Sequence, residues 1–335
     1  MGKKIGIDLG TANTMIYVGG KGVVLRAPSV VAVENQTKRV LAVGLEAKRM
    51  IGKTPGSITA YRPLKGGVVA DFEIASMMLH EFLGGIDAGG FFNRPSVIIC
   101  MPYGVTEVEK LAIENAAFEA GAKSVALIEE PIAAAIGAGL RVAGARGSMI
   151  VDVGGGTTEA AVLSLGGIIV SHSLRIGGDE LDNAIIQHMK TRHKLLIGET
   201  TAELLKKKIG SAHPRFDRGS MRIFGRSLRT GQGETLVVST PEIREAMKDP
   251  IEQIIDTVRS CLEDTPPELA ADILDFGIMM TGGGALLCGL PTLIAERTGV
   301  RVTVAKSPLE SVCRGIGRVI ESSESYADAV HFRQK

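Results

Sequence analysis

The sequence predicts an α/β protein of two related lobes, each built on a mixed β-sheet flanked by helices. Three observations carry that prediction. A strand–turn–strand pattern occurs twice, once over Ile5–Thr14 and again over Ile150–Glu159. Each copy is a short apolar strand ending in Asp, a Gly- and Thr-rich turn, and a second apolar run, so the chain reads as a duplicated unit. Elsewhere, strand-length apolar runs alternate with helical patterns, which is the α/β signature. The 335 residues, 45% hydrophobic and 22% charged, suffice for two ordinary cores.

The elements follow in order. After the first hairpin, Val23–Arg26, Ser29–Val33 and Arg39–Val43 read as strands and Leu45–Met50 as a short helix, in a small insertion reaching about Leu64. Asp71 caps a helix running to Leu83, with Ile74, Met77, Met78 and Leu83 on its apolar face. Ser96–Met101 is a buried strand, and Thr106 with Glu109 forms a capping box opening the next helix. Val125–Ile128 is a strand, and Pro131 favours the first turn of the helix after it. Gly144–Ser148 reads as the linker between lobes. The second lobe opens with its hairpin. Asp179–Ile209 reads as mainly helical, Ser211–Gln232 as polar with short strands, and Thr240–Cys261 as one helix. Ile273–Met280 reads as a strand turning through Thr281–Ala285 into a helix, Val300–Val304 as the last strand, and Pro308 as the start of the last helix.

Composition excludes several classes. With 38 basic against 37 acidic residues the net charge is +1, which favours no nucleic-acid partner, whose binding normally needs a basic face, and leaves a local basic patch open. Cys100, Cys261, Cys288 and Cys313 form no Cys-x-x-Cys pair and read as reduced, mostly buried thiols of a cytosolic protein. The N-terminus runs straight into a strand, without a signal peptide, an amphipathic anchor or a myristoylation motif. Phe276–Ala295 is uncharged enough to mimic a membrane span, apart from its glycine turn and Pro291. Ala47–Thr54 mimics a P-loop, but Pro55 and Gly56 would break the helix that such a loop must open.

The paired hairpins suit one chemistry. Glycines let backbone N–H groups approach phosphate oxygens, and threonine hydroxyls add donors. Gly10–Asn13 can hold one side of a triphosphate and Gly154–Thr157 the other, in a cleft between the lobes. Asp8 and Asp152, at strand ends, can hold hydrated Mg²⁺. Glu129 and Glu130 end a strand before a helix. One of them can orient a water against the terminal phosphate, or both can be solvated charges at a helix start. Thr281–Ala285 can approach a nucleotide, while Glu203 and Lys206, one turn apart, also fit an exposed ion pair. His188 and His193 are five residues apart, a poor fit to one helical face, and no zinc pattern is completed around them.

Taken together, the hairpins, Glu129-Glu130-Pro131 and Thr281–Ala285 resemble the superfamily of actin, sugar kinases and heat-shock chaperones. Ile5–Thr14, Ala27–Val31, Val43–Ala47, Ile51–Pro55, Arg62–Leu64, Ile128–Ile136, Gly154–Glu159, Ile197–Glu199, Thr265–Leu269 and Thr281–Leu287 are similar to the bacterial actin MreB family over essentially the whole chain. The resemblance implies an actin-like fold of four subdomains: 1–32 with 65–143 and 310–335; 33–64; 144–179 with 240–309; and 180–239. It implies ATP and Mg²⁺ as ligands. Thr11, Ala12 and Asn13 would form the first phosphate loop, and Gly154, Gly155, Gly156 and Thr157 the second. Glu203 and Lys206 would flank the adenosine from one side, and Gly282, Gly283, Gly284 and Ala285 from the other. Glu129 with Thr157 would position the hydrolytic water.

It further implies antiparallel double filaments on the inner face of the cytoplasmic membrane, scaffolding cell-wall synthesis with elongation proteins such as RodZ and MreC. The glycine-rich loop Gly84–Pro95 carries Phe91 and Phe92, which such a family member inserts into lipid; folding back of both rings is the alternative. A sugar kinase would need a substrate base and a sugar pocket, and a chaperone ATPase a peptide-binding domain; neither is legible. The five arginines from Arg215 to Arg229 read as a solvated loop.

Overall fold

The computed structural model describes residues 3–86, 94–322 and 331–334. The first lobe comprises β1 (Lys4–Leu9), β2 (Asn13–Val18), β3 (Gly22–Pro28), β4 (Val31–Glu34), β5 (Val40–Val43), α1 (Gly44–Met50), β6 (Ile58–Tyr61), β7 (Leu64–Lys65) and β8 (Val68–Val69). It continues with α2 (Phe72–Gly85), β9 (Ser96–Met101), α3 (Glu107–Glu119), β10 (Ser124–Glu129) and α4 (Glu130–Ala138). The local signals hold. Asp71 accepts from the Ile74 N–H, and Thr106 with Glu109 closes a capping box.

The second lobe comprises β11 (Ser148–Val153), β12 (Thr158–Ser164), β13 (Gly167–Leu174), α5 (Gly178–Arg192), β14 (Leu195–Leu196), α6 (Glu199–Ile209), β15 (Ser220–Ser227) and β16 (Gly233–Ser239). It ends with α7 (Thr240–Ala246), α8 (Lys248–Glu263), α9 (Pro267–Phe276), β17 (Ile278–Thr281), α10 (Leu290–Thr298) and β18 (Val302–Val304). Then α11 (Ser311–Glu321) returns to the first lobe, where β19 (His331–Gln334) adds an edge strand to β10.

The duplication is visible in the sheets. The first runs β19-β10-β9-β1-β2-β3 and the second β13-β12-β11-β17-β18. In each, an antiparallel hairpin leads into parallel strands: β1 pairs antiparallel with β2 and parallel with β9, as β11 does with β12 and β17. The carboxyl ends of the parallel strands form the floor between the lobes, where open α/β sheets place ligands. Small sheets β5-β4-β6 and β14-β15-β16 extend one lobe each.

Each lobe has its own core. Ile5, Ile7, Ile16, Met78, Leu79 and Ile99 are fully buried in the first, and Val151, Val153, Ile185, Ile254 and Val258 in the second. A third cluster joins the lobes through Ile128, Ala133, Ile136, Ile150, Leu163 and Ile316. It is organised by α4 and α11, which carry the chain out of and back into the first lobe. They meet backbone to backbone: a Cβ on Gly137 would overlap the Ser311 carbonyl, and one on Gly315 the Ala133 carbonyl.

Two expectations need correction. The helix expected over Thr240–Cys261 breaks at Met247 into α7 and α8. The strand expected from Ile273 begins only at Ile278, because α9 occupies Pro267–Phe276 and ends at Gly277, whose φ of 85° few other residues adopt. Among the described residues no helix is long and apolar enough to cross a membrane. All four cysteines are free; Cys100, Cys261 and Cys313 are buried.

Candidate nucleotide cleft

Between the lobes lies a cavity of about 620 Å³, a size that suits a nucleotide. Both duplicated turns line it: Gly10, Thr11, Ala12 and Asn13 from one lobe, Gly154, Gly155, Gly156 and Thr157 from the other. The turns touch. A Cβ on Gly155 would lie 2.5 Å from the Ala12 Cβ and 3.0 Å from its nitrogen. Local bonds hold each turn in shape. Thr157 O accepts from the Gly154 N–H at 2.8 Å, and Thr11 Oγ1 accepts from the Gly67 N–H at 2.9 Å. The second turn is tied to the start of α5, since the Gly178 and Asp179 N–H groups donate to Gly154 O and Gly155 O. That helix therefore aims its positive end at the cavity, where an anion is favoured.

The floor is acidic. Asp8 lies one residue before the end of β1 opposite Met15, Asp152 lies in β11 opposite Glu159, and Glu130 starts α4. Asp8, Asp152 and Glu130 line the cavity; Glu159 is buried behind them. Burial pushes Asp8 up to about 7, against a weaker lowering by the Cys100 thiol. Burial and then Asp8 push Asp152 up to about 7. Burial and then Asp152 take Glu159 to about 8, and Glu130 is raised well above the carboxylate range by burial and by Glu159, Asp152 and Asp8. Glu159 Oε1 accepts from the Tyr103 N–H at 3.1 Å, while its Oε2 is buried without a hydrogen bond. Four carboxyls that do not all ionise together at neutral pH are the donor set that a divalent cation suits.

The rim carries the adenosine-side candidates. Glu203 and Lys206 of α6 line the cavity, as do Gly282, Gly283 and Gly284. Ala285 is buried in the short 3₁₀ turn Gly283–Leu286 and is not among the lining residues. Glu203 and Lys206 do not pair with each other. Lys206 donates to Asp182 Oδ2 at 2.8 Å and to Gly178 O. Glu203 accepts from Lys207 and, across the cleft, from Lys48 of α1 at 2.7 Å. Burial pushes Glu203 up, but the lysine hydrogen bonds more than offset it and hold the carboxyl at about 2. A second bridge, Arg62–Glu199 at 3.1 Å, spans the same gap.

Sequence reasoning missed several residues. Lys48 lies in the stretch set aside as a P-loop mimic; the helix there ends at Met50 rather than beginning, yet its lysine lines the cavity. Glu129, expected to position water, ends β10 and caps α4 and is not among the lining residues; its neighbour Glu130 is. The histidine reading also needs correction. A continuing helix would set His193 about 140° from His188, but α5 stops at Arg192, and both rings reach Glu242 of α7. Phe91 and Phe92 lie outside the described residues. Arg215, Arg218, Arg222, Arg226 and Arg229 are all exposed.

A model of the MreB/Mbl protein family matches residues 2–328. The cell shape-determining protein MreB of Escherichia coli (strain K12) is 49% identical over 322 residues, 95% of this chain and 93% of that protein. The cell shape-determining protein Mbl of Bacillus subtilis (strain 168) is 47% identical over 322 residues, 96% of this chain and 97% of that protein. Among solved structures, MreB5 of Spiroplasma citri bound to ADP superposes with a TM-score of 0.91 at 36% identity, over 98% of this chain and 99% of that one. The same protein bound to AMPPNP gives 0.92.

Proposed function

Since the chain belongs to the MreB/Mbl family of cell shape-determining bacterial actins, we propose that it binds and hydrolyses ATP with Mg²⁺ and polymerises into membrane-associated antiparallel double filaments. The observation that carries the nucleotide reading is the facing pair of turns over an acidic floor in one cavity of about 620 Å³. The solved relative holds ADP in one structure and AMPPNP in another.

The chemistry follows from the residues present. Backbone N–H groups of Thr11–Asn13 and Gly154–Thr157, with the Thr11 and Thr157 hydroxyls, bind and orient the phosphates. Asp8 and Asp152 would hold Mg²⁺, which would supply positive charge to neutralise the phosphates. Glu130, with Thr157, orients a water for in-line attack on the terminal phosphorus, and the water's proton passes to an oxygen of that phosphate. Water adds, the bond from that phosphorus to the bridging oxygen breaks, and ADP and phosphate leave. Glu203, Lys206 and Gly282–Gly284 hold the adenosine end.

The filaments would scaffold lateral cell-wall synthesis and maintain rod shape from the cytoplasmic face of the membrane, with elongation proteins such as RodZ and MreC as partners. Phe91 and Phe92, between α2 and β9, would insert into lipid. Each ring contributes up to roughly 1.5–3 kcal/mol when fully buried, so a single subunit binds weakly and a filament binds by avidity. Electron microscopy of the purified protein with ATP on anionic vesicles tests the reading. Paired filaments on vesicles support it, and Phe91→Ser with Phe92→Ser should leave filaments free of lipid. Absence of filaments across protein concentration and salt, with ATP still bound, would overturn the polymer reading. Phosphate transfer to an added sugar would point to a kinase instead.

A further inference from the structure

We propose that His188, His193 and Glu242 form a binding site for a divalent transition metal, Zn²⁺ by class, at the end of α5 remote from the nucleotide cleft. One ligand atom from each of the three lies within 4.8 Å of the other two, the one such group of three among the described residues. Both imidazoles present Nε2 to the same carboxylate oxygen. His188 Nε2 lies 3.3 Å from Glu242 Oε1, and His193 Nε2 hydrogen-bonds the same atom at closer range. Two ligands on tetrahedral zinc, with bonds of about 2.0–2.1 Å, are separated by about 3.3 Å. The atoms therefore already stand near the spacing that coordination requires, and a small outward shift of His193 completes it.

The surroundings favour a cation. The three side chains are 15%, 26% and 18% exposed, so the donors are held in place and water is partly excluded. His188 sits in the penultimate turn of α5 and His193 caps its end, where the helix carbonyls concentrate negative charge. The other paired histidines differ: among the described residues His172 meets one carboxylate, that of Asp264, and His213 one, that of Glu296, with no second imidazole beside either. One cation stands nearby, with Arg192 Nε 3.9 Å from Glu242 Oε1. Its side chain is 67% exposed and can move into solvent when a metal takes the carboxylate. Two imidazoles and a carboxylate leave one tetrahedral position for water, a donor set that suits zinc and, less selectively, cobalt, nickel or copper. Bound there, the ion would staple the end of α5 to the start of α7.

The test titrates the metal-stripped full chain with Zn²⁺ and, separately, Co²⁺. Calorimetry gives stoichiometry and affinity, and visible absorption shows whether cobalt is tetrahedral. An Asp8→Asn, Asp152→Asn background removes the two cleft carboxylates assigned to Mg²⁺ as competitors. In that background one ion per chain should bind, with tetrahedral cobalt bands. His188→Gln with His193→Gln should weaken binding by at least about 100-fold, with Mg²⁺–ATP affinity unchanged when measured without the two Asp substitutions. If that pair fails to fold by circular dichroism, His193→Gln alone, at the helix end, gives the same readout. Absence of Zn²⁺ binding in the Asp8→Asn, Asp152→Asn protein, or equal affinity in the histidine variants, would reduce the cluster to hydrogen bonding and overturn the site. The result is independent of whether ATP is hydrolysed.

Discussion

Lys48→Met tests the bridge across the mouth of the cleft. Lys48 belongs to the first lobe and Glu203 to the second, so opening the cleft must separate them. Both side chains are about a quarter exposed and lie 2.7 Å apart. The difference between the ordinary carboxyl value of 4.5 and about 2 for Glu203 corresponds to roughly 3 kcal/mol, shared by two lysines. Lys207 is the more exposed partner, and a charge-assisted hydrogen bond contributes about 1.5–3 kcal/mol. After allowance for solvent, about 1–2 kcal/mol belongs to the Lys48 bond. Since about 1.4 kcal/mol is a factor of ten, its loss should raise the release rate of a fluorescent ADP analogue about tenfold, read by stopped-flow displacement. Glu203 also lines the nucleotide cavity, so a cycle of Lys48→Met, Glu203→Gln and the double variant is needed to isolate the pair. A coupling energy below about 0.5 kcal/mol, the ordinary error of additivity, would refute the reasoning. The sign of the pH dependence is fixed as well. A depressed carboxyl contributes fully above its unfolded value of 4.5 and loses that contribution as pH falls toward about 2. The coupling should therefore stay level from about pH 5 through neutrality.

Three further outcomes are expected. Glu130→Gln should lower the ATP hydrolysis rate by about 10²–10³-fold with ATP binding retained, while Glu129→Gln stays near the wild-type rate; a phosphate-release assay on both decides between the neighbours. Gly155→Ala drives a methyl into Ala12, so ATP affinity measured by calorimetry should fall at least about tenfold with little change in melting temperature. Gly315→Ala forces α11 off the Ala133 carbonyl and should cost about 2–3 kcal/mol in urea unfolding, against a negligible cost for Gly56→Ser, whose site is open and whose backbone is not left-handed.

What could be read in advance was local or repeated. Asp71 and Thr106 act on neighbours three residues away, and the two hairpins announce themselves by their likeness, so the lobes and phosphate turns were legible. The unread features depend on chain distance or on a single-residue turn of the backbone. Lys48 and Glu203 are 155 positions apart, and His188 and Glu242 54. Glu129 and Glu130 are adjacent and identical; which one meets the cleft is decided where strand becomes helix, and no composition signal marks it. The apolar run from Ile273 to Met280 looked uniform, yet Gly277 divides it into helix and strand.

The crossing of α4 and α11 has a mechanical meaning. Only these two helices carry the described main chain between the lobes near the cleft floor, and with no side-chain cushion at Gly137 and Gly315 they cannot slide apart without losing backbone contact. What remains is rotation about the crossing. A lever about 20 Å long, the length of a 15-residue helix such as α5, moves its tip by about 2 Å for a turn of about 5°. In the proposed filament, loss of a phosphate from the turns above this crossing would be felt at the outer faces as a change of subunit pitch, repeated along the length of the polymer.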